Sequence, residues 1–310
     1  MTAITRRAAL TGLAVGLALP LAGCARGASA EPLAMACGER GGSYLAFGEL
    51  LGAALRQTGA AALRPLVTYG SAENIALLDT GVADLAIALA DTAEGRSSDL
   101  LTIGRVYQNY LQCVARADAG MAQLADLAGA TISIGAPGSG SSATTRRLLG
   151  AAGLGTGAAA PSVRELPLEG ALAALASGEI SAFFWSGGIP TPKIIELDAR
   201  LPLTLLDLSA ALPKLAAAYP EQYLSTRVPP GVYSARRATP TVGIPNYLLV
   251  RRDFPDDAAA ALVEVLVEHA AELIPEGTVG VQFLTPANLI DTGALPLHPG
   301  AADAYRVRYG

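Results

Sequence analysis

Short apolar runs that close on a small residue, each followed by a segment of helical spacing, recur along most of this 310-residue chain. That alternation restricts the fold more than any other feature. Residues 33–37 end at Gly38, and residues 45–57 follow with Phe47, Leu50, Leu51, Ala54 and Leu55 on one helical stripe. Residues 63–68 and 72–80 repeat the pair. A strand at 85–89 and a longer β-like segment at 107–116 come next. Beyond them the spacing predicts a helical turn at 124–127, strands at 131–135, 163–166 and 182–185, and helices at 142–152 and 169–177. Strand–helix–strand units of this kind predict an α/β protein built on parallel, doubly wound sheets. Hydrophobic residues make up 51% but aromatics only 5%, so Ala, Leu, Val and Ile must form the core.

The first thirty residues read as an address. Thr5-Arg6-Arg7 opens a basic region, and residues 8–23 are uncharged, mostly apolar and too short to span a bilayer. The alternative, an N-terminal membrane helix, fits that length poorly. Leu21-Ala22-Gly23-Cys24 resembles a bacterial lipoprotein signal, which implies cleavage before Cys24 and lipid attachment to it. The arginine pair resembles a Tat signal. Ala9 stands where a bulkier residue is usual, which leaves Sec export open. The expected product is exported and held by its lipid at the outer face of the cytoplasmic membrane. The longest later uncharged stretch, residues 127–145, is broken by glycines and Pro137, unlike a bilayer helix.

The formal charge of −5 gives no basic surface for phosphates, so nucleic acid is not an expected partner. Two His and three Cys, with no zinc spacing, predict no metal, and no cofactor is expected.

Residues 33–113 and 124–206 each open with a strand, a glycine-rich loop and a helix. Residues 228–233 are rich in Pro and Gly, residues 247–251 read as a strand, and residues 257–272 as an amphipathic helix after Pro255. The expected organisation is a signal at 1–23, a tether at 24–32, one lobe from 33–113 plus 229–310, and a second from 114–228. Connections near 110–117 and 227–245 would form a two-segment hinge that lets the lobes close on a ligand.

Three loops carry candidate chemistry. Gly38-Glu39-Arg40-Gly41-Gly42-Ser43-Tyr44 and Thr68-Tyr69-Gly70-Ser71-Ala72-Glu73-Asn74 each lead from a strand into a helix. Glycines let backbone amides approach a ligand, and a helix N-terminus offers unpaired N–H groups and positive potential. Such loops lie at the crevice where open α/β sheets bind ligands. Ser71 reads as an N-cap with Asn74 at N3, and capping alone would account for it. The third loop, Gly135-Ala136-Pro137-Gly138-Ser139-Gly140-Ser141-Ser142-Ala143-Thr144, suits a carboxylate or phosphate. Gly138-x-Gly140-x-x-Ala143 also fits a dinucleotide fingerprint, but export argues against a soluble nicotinamide partner. Ser139 or Ser141 as a nucleophile would need a base. The only histidines, His269 and His298, fall in a helix and the C-terminal tail, so no enzyme is expected.

The ordered series Gly41-Gly42-Ser43-Tyr44, Gly70-Ser71-Ala72-Glu73-Asn74, Gly81-Val82-Ala83-Asp84-Leu85-Ala86 and Ala136-Pro137-Gly138-Ser139-Gly140 resembles the TAXI family of TRAP-transporter solute-binding proteins. So do Gly187-Gly188-Ile189-Pro190-Thr191-Pro192, Tyr219-Pro220, Pro229-Pro230-Gly231-Val232-Tyr233 and Pro240-Thr241-Val242-Gly243-Ile244-Pro245. The resemblance implies a type II periplasmic-binding-protein fold. It also implies delivery of a small organic anion, a dicarboxylate or acidic amino acid such as glutamate or 2-oxoglutarate, to TRAP membrane permease subunits. Carried over by position, the ligand contacts would be Ser43, Tyr44, Ser71, Asn74, Ser139, Gly140, Ser141, Ser142, Gly187 and Gly188. Tyr44 reads equally as a packed aromatic, and Trp185 either as a cleft wall or, the favoured reading, as a core ring of the strand Phe183-Phe184-Trp185.

The sequence departs from that pattern in three places. Leu89-Ala90-Asp91 stands where Gln and a polar pair are usual, Leu45 where a second Tyr is usual, and Glu39-Arg40 where small residues are common. Arg40 would clamp a carboxylate if it faced inward. Two other readings stay open: a binding module of the same fold serving a sensor or another transporter, and an exported glycine-loop hydrolase. Cys37 and Cys113 either pair after export or, being in apolar strands, stay as buried thiols.

Overall fold

The period-2 alternation of β-strand side chains sorts the core onto two faces of one sheet. In the computed structural model, residues 31–94 and 99–309 are described. The expected signal segment, Cys24 and most of the tether lie outside the described residues. The chain from Pro32 onward forms one compact unit. Its first part runs β1 (Leu33–Gly38), α1 (Ser43–Thr58), β2 (Leu63–Val67), α2 (Ser71–Asp79), β3 (Leu85–Leu89), α3 (Ala90–Ala93) and β4 (Leu100–Arg116). Two 3-10 turns lead to β5 (Thr131–Ser133), α4 (Gly140–Ala151), β6 (Ser162–Arg164), α5 (Leu168–Ser177), β7 (Ala182–Gly187), α6 (Pro192–Asp198) and β8 (Leu203–Leu205). The last part is α7 (Leu212–Ala218), β9 (Leu224–Val228), β10 (Thr239–Arg251), α8 (Asp256–Glu268), α9 (Pro286–Leu289) and α10 (Pro299–Tyr309).

The sheet has ten strands in the order β2-β1-β3-β10-β4-β7-β5-β6, with β8 on β4 and β9 on β10. It is mixed, which corrects the all-parallel expectation. Pairing is parallel at both ends, in β2-β1-β3 and β7-β5-β6, but antiparallel through the centre, where β10 pairs with both β3 and β4 and β4 pairs with β7. Strands β4 and β10 run side by side from Val242 opposite Leu111 to Arg251 opposite Leu100. Each belongs to both halves of the sheet: Tyr110 to Ala115 of β4 also pair with β7, while Asn246 to Val250 of β10 pair with β3.

Sequence reasoning placed only residues 247–251 in the last strand; Pro240 and Pro245, which lack ladder donors, lie in the part it left out. The strand nevertheless starts at Thr239, with a register shift beside Pro245 at Asn246 and Tyr247. Likewise β4 begins at Leu100 rather than residue 107, since Leu101, Ile103 and Val106 are buried despite Gly104 and Arg105 between them.

Each half of the sheet is covered on both faces. In β3, Leu85 and Ile87 face the cluster of Met35, Phe47, Leu51 and Leu262, whereas Ala86 and Ala88 face that of Ile75, Leu78 and Leu249. In β7, Phe184 joins Ile132, Leu148 and Ile244, and Phe183 joins Leu172, Ile194 and Leu203. The C-terminal residues Leu284, Leu289, Ala301 and Tyr305 pack into the same cluster as Met35 and Phe47. Thus α10, unforeseen from the sequence, closes the first half, and His298 before it is buried. Among the described residues no helix is long and apolar enough to cross a membrane.

Cys37 and Cys113 are both free and buried, in separate clusters. Burial pushes the Cys37 thiol up to about 12, so it stays protonated and unreactive at neutral pH. A thiol reagent at pH 8 is therefore expected to label neither cysteine in the folded protein and both after denaturation. Labelling of Cys37 or Cys113 without unfolding would contradict the packing.

Candidate functional site

Three helices begin at the same edge of the sheet because three glycine-rich turns place them there. Gly42, extended, precedes α1, and Gly70, at φ 118°, precedes α2. Ser139 caps α4, its hydroxyl accepting from the Ser142 amide at 3.1 Å. The first-turn amides of a helix have no intrahelical acceptor, so these three termini bring donors and positive potential together. Three strand ends close the crevice behind them, those of β1 at Gly38 and β3 at Leu89 on the first half of the sheet and that of β7 at Trp185 and Ser186 on the second. The cavity they leave is partly open and measures about 30 Å³.

The expected site residues divide into those the cavity gathers and those it does not. Ser43, Tyr44, Ser71, Ser139, Gly140 and Ser141 line it. Asn74 is buried beneath, its amide donating to the carbonyls of Cys37 and Ile87 and accepting from the Thr68 hydroxyl. Ser142 turns away to donate to Glu165 at 2.6 Å, and that hydroxyl holds the Glu165 carboxyl below the usual carboxylate range. Gly187 lies against the Trp185 ring, where a Cβ would sit 2.5 Å from the indole nitrogen. Gly188 donates its amide to the Ser43 hydroxyl at 3.1 Å. Arg40 is exposed and lines two outer grooves rather than the cavity.

Ser71 is not the expected N-cap. It is the first residue of α2 after Gly70, which puts Asn74 one position beyond N3. Its Oγ accepts from the Leu89 amide at 3.1 Å and lies 3.2 Å from the Tyr44 hydroxyl. Tyr44 donates its own proton to Asn246 Oδ1 at 2.6 Å, so the remaining contact requires Ser71 to donate to Tyr44. Burial drives the Tyr44 hydroxyl well up, with the nearby Asp91 carboxylate adding to the rise, so it remains a donor. Asn246 in turn donates to the Tyr107 carbonyl and to Asn109 Oδ1, and Asn109 donates to the Ser186 carbonyl at 3.3 Å. This chain of side chains links α1 to β10, β4 and β7 across the sheet.

Sequence reading missed Asn109, Ser186, Leu89 and Asn246. Gln108-Asn109 inside an otherwise apolar strand was the available signal, since consecutive polar residues in a buried strand need partners. Trp185 combines the two roles weighed for it: it packs in the Phe183 cluster, donates to Thr191 at 3.1 Å, and lines the cavity.

The two halves also bond directly. The Leu168 amide at the start of α5 donates to Glu39 Oε2 at 2.7 Å, and the Glu73 amide donates to the Gly138 carbonyl at 3.2 Å. Burial raises the Glu39 carboxyl above its ordinary value, the Leu168 amide opposing this and Glu169 adding to it. Asp91, fully buried at the end of β3, accepts from Thr144 of α4 at 2.5 Å and from Tyr223 at 2.8 Å, and pairs with Arg147 at 3.6 Å. Among the described residues no cluster of His, Cys, Asp and Glu is arranged to hold a metal ion.

A family model described as the NMT1-like family matches residues 35–307. Among solved structures, the chain is similar to the GluR0 ligand-binding core in complex with L-glutamate, at 11% identity over 79% of this chain and 97% of that one, with a TM-score of 0.51. It is similar to the arginine-, lysine-, histidine-binding protein ArtJ of Geobacillus stearothermophilus, at 10% identity over 78% and 92%, with a TM-score of 0.52. A protein of Bordetella bronchiseptica RB50 matches at 14% identity over 91% and 99%, with a TM-score of 0.56. At such identities the likeness is one of fold: a type II periplasmic-binding-protein fold with a curled mixed sheet.

Proposed function

The chain belongs to the NMT1-like family, and on that premise we propose that it is an extracytoplasmic solute-binding protein, not an enzyme. It takes a small carboxylate-bearing metabolite between two lobes and delivers it to the membrane subunits of a TRAP-type transporter. The lobes are 33–113 plus 229–310 and 114–228, and the chain crosses between them within β4 and again in the connection from β9 to β10. Lipid on Cys24 keeps the protein at the outer face of the cytoplasmic membrane.

One observation carries this reading. The N-termini of α1, α2 and α4, drawn from both halves of the sheet, meet at one partly open cavity whose walls hydrogen-bond to each other. A carboxylate there exchanges its water for amides at the first turn of α4 and for the hydroxyls of Ser139 and Ser141. Both serines accept a backbone hydrogen bond, which leaves each hydroxyl proton available. Among the described residues neither histidine reaches these serines, since His269 follows α8 and His298 is buried before α10. That supports binding without turnover.

The test is a melting-temperature screen of the exported chain against small mono- and dicarboxylates and amino acids. At least one is expected to give a saturable rise, about 2.7 kcal/mol of added stability at a hundredfold excess over Kd. That ligand should then drive uptake into proteoliposomes only with TRAP-type membrane subunits. A screen in which nothing shifts the transition would overturn the binding role, and uptake that ignores the protein would overturn the TRAP role.

A further inference from the structure

The cavity wall holds one charged side chain, and its sign is negative. Glu39 lines both the cavity and the outer groove that Arg40 also lines, whereas Arg40 does not reach the cavity wall. The remaining wall is glycine, serine, Leu89, Asn109, Trp185 and two tyrosines, none of which supplies a cation. Glu39 is also fixed in place. Its Oε2 is held by the Leu168 amide at the first turn of α5, from the opposite half of the sheet, while no hydrogen bond from a described residue takes Oε1. The carboxylate therefore stands at the mouth of the site, between the cavity and the outer groove of Val67, Tyr69 and Pro167.

We propose that Glu39 is a specificity-determining residue that selects ligands bearing one carboxylate together with an ammonium or neutral polar group, and rejects dicarboxylates. The inference rests on the solute-binding reading above and narrows its ligand class. The helix termini and serine hydroxyls accommodate the single carboxylate. The second polar group of the ligand meets Glu39, where an ammonium or amide donates to the free oxygen. A second carboxylate meets a like charge in a partly enclosed space whose wall supplies no cation, and repulsion there is stronger than in water.

The experiment is calorimetric titration of the exported chain and its Glu39→Gln variant with matched probes: L-glutamine against L-glutamate, and 3-aminopropanoate against succinate. Gln keeps an oxygen for the Leu168 amide, so the fold and the contact between halves are retained. In the unaltered protein the single-carboxylate member of a pair is expected to bind at least about tenfold more tightly. In Glu39→Gln that ratio should fall towards one, chiefly through a gain by the dicarboxylate. The ratio is the readout, so a general loss of affinity does not imitate the effect. Equal or tighter binding of the dicarboxylates by the unaltered protein overturns the proposal, as does an unchanged ratio in Glu39→Gln. If none of the four probes binds either protein, the proposal falls, while the solute-binding reading is overturned only if the wider melting-temperature screen also shows no shift.

Discussion

Asp91→Ala is expected to lower stability by about 3 kcal/mol, because it removes the acceptor of a buried cluster and leaves its donors unpaired. Asp91 is fully buried at the start of α3, and its partners come from distant parts of the chain: Thr144 and Arg147 on α4, and Tyr223 before β9. The Arg147 guanidinium also donates to the Asp91 carbonyl at 2.7 Å and to the Tyr223 hydroxyl at 3.2 Å. Burial pushes the Tyr223 hydroxyl well up and the Asp91 carboxylate pushes it further, so the phenol remains a donor. In Asp91→Ala, Thr144 and Tyr223 lose their acceptor and Arg147 its counter-charge inside the fold. Thermal unfolding should show the midpoint falling by roughly 6 °C for a chain of this size. Asp91→Asn keeps the volume and one acceptor oxygen, so its loss should be smaller. A loss under about 1 kcal/mol for Asp91→Ala would mean that the cluster is far less cohesive than its geometry implies.

Gly140→Ala is expected to weaken ligand binding by on the order of ten- to a hundredfold, through the closure of the site rather than any direct contact. Gly140 opens α4, and a Cβ there would stand 2.6 Å from both Leu89 Cδ1 and Ser71 Oγ. Neither neighbour has room to yield. Leu89 is buried, and Ser71 is tied to the Leu89 amide and to Tyr44. The two halves must part to admit the methyl group, and an open site binds more weakly because part of the ligand's binding energy goes into shutting it. Gly150→Ala is the matched control, being exposed on the same helix with nothing within 4 Å of the added carbon. Calorimetry should separate the two variants. Small-angle scattering should also show Gly140→Ala more extended than the unaltered protein at saturating ligand. Equal affinity in both glycine variants would mean that α4 and α2 need not approach this closely for binding.

Much of the architecture was legible in the chain itself. Short apolar runs predicted β1, β2, β3 and β7, and segments of helical spacing predicted α1, α2, α4 and α5. Local reading succeeded there because period, caps and turn residues all act within a few positions. It failed at β10, where Pro240 and Pro245 spoke against a strand. Hydrogen bonding to β4, β9 and β3 holds that strand extended, and such partners are not encoded nearby. It failed again at α10, whose few apolar residues make a helix only because Ala301 and Tyr305 find the cluster of Met35 and Phe47.

The site divides in the same way. Glycine-rich βα turns announced a place where helix termini gather, and six of the residues expected there do line the cavity. The chain alone did not say that Ser141 faces the cavity while the next residue, Ser142, points to Glu165. That follows from the rotation of about 100° per residue in a helix whose first turn is set by packing against β7. Nor did it say that of the neighbours Glu39 and Arg40, which share an outer groove, only Glu39 also reaches the cavity. The linear order determined which elements form and where their polar turns fall, since those are short-range properties. Which side chains meet inside the crevice was decided by long-range strand pairing and helix phase, because contacts between residues a hundred positions apart exist only once the sheet has closed.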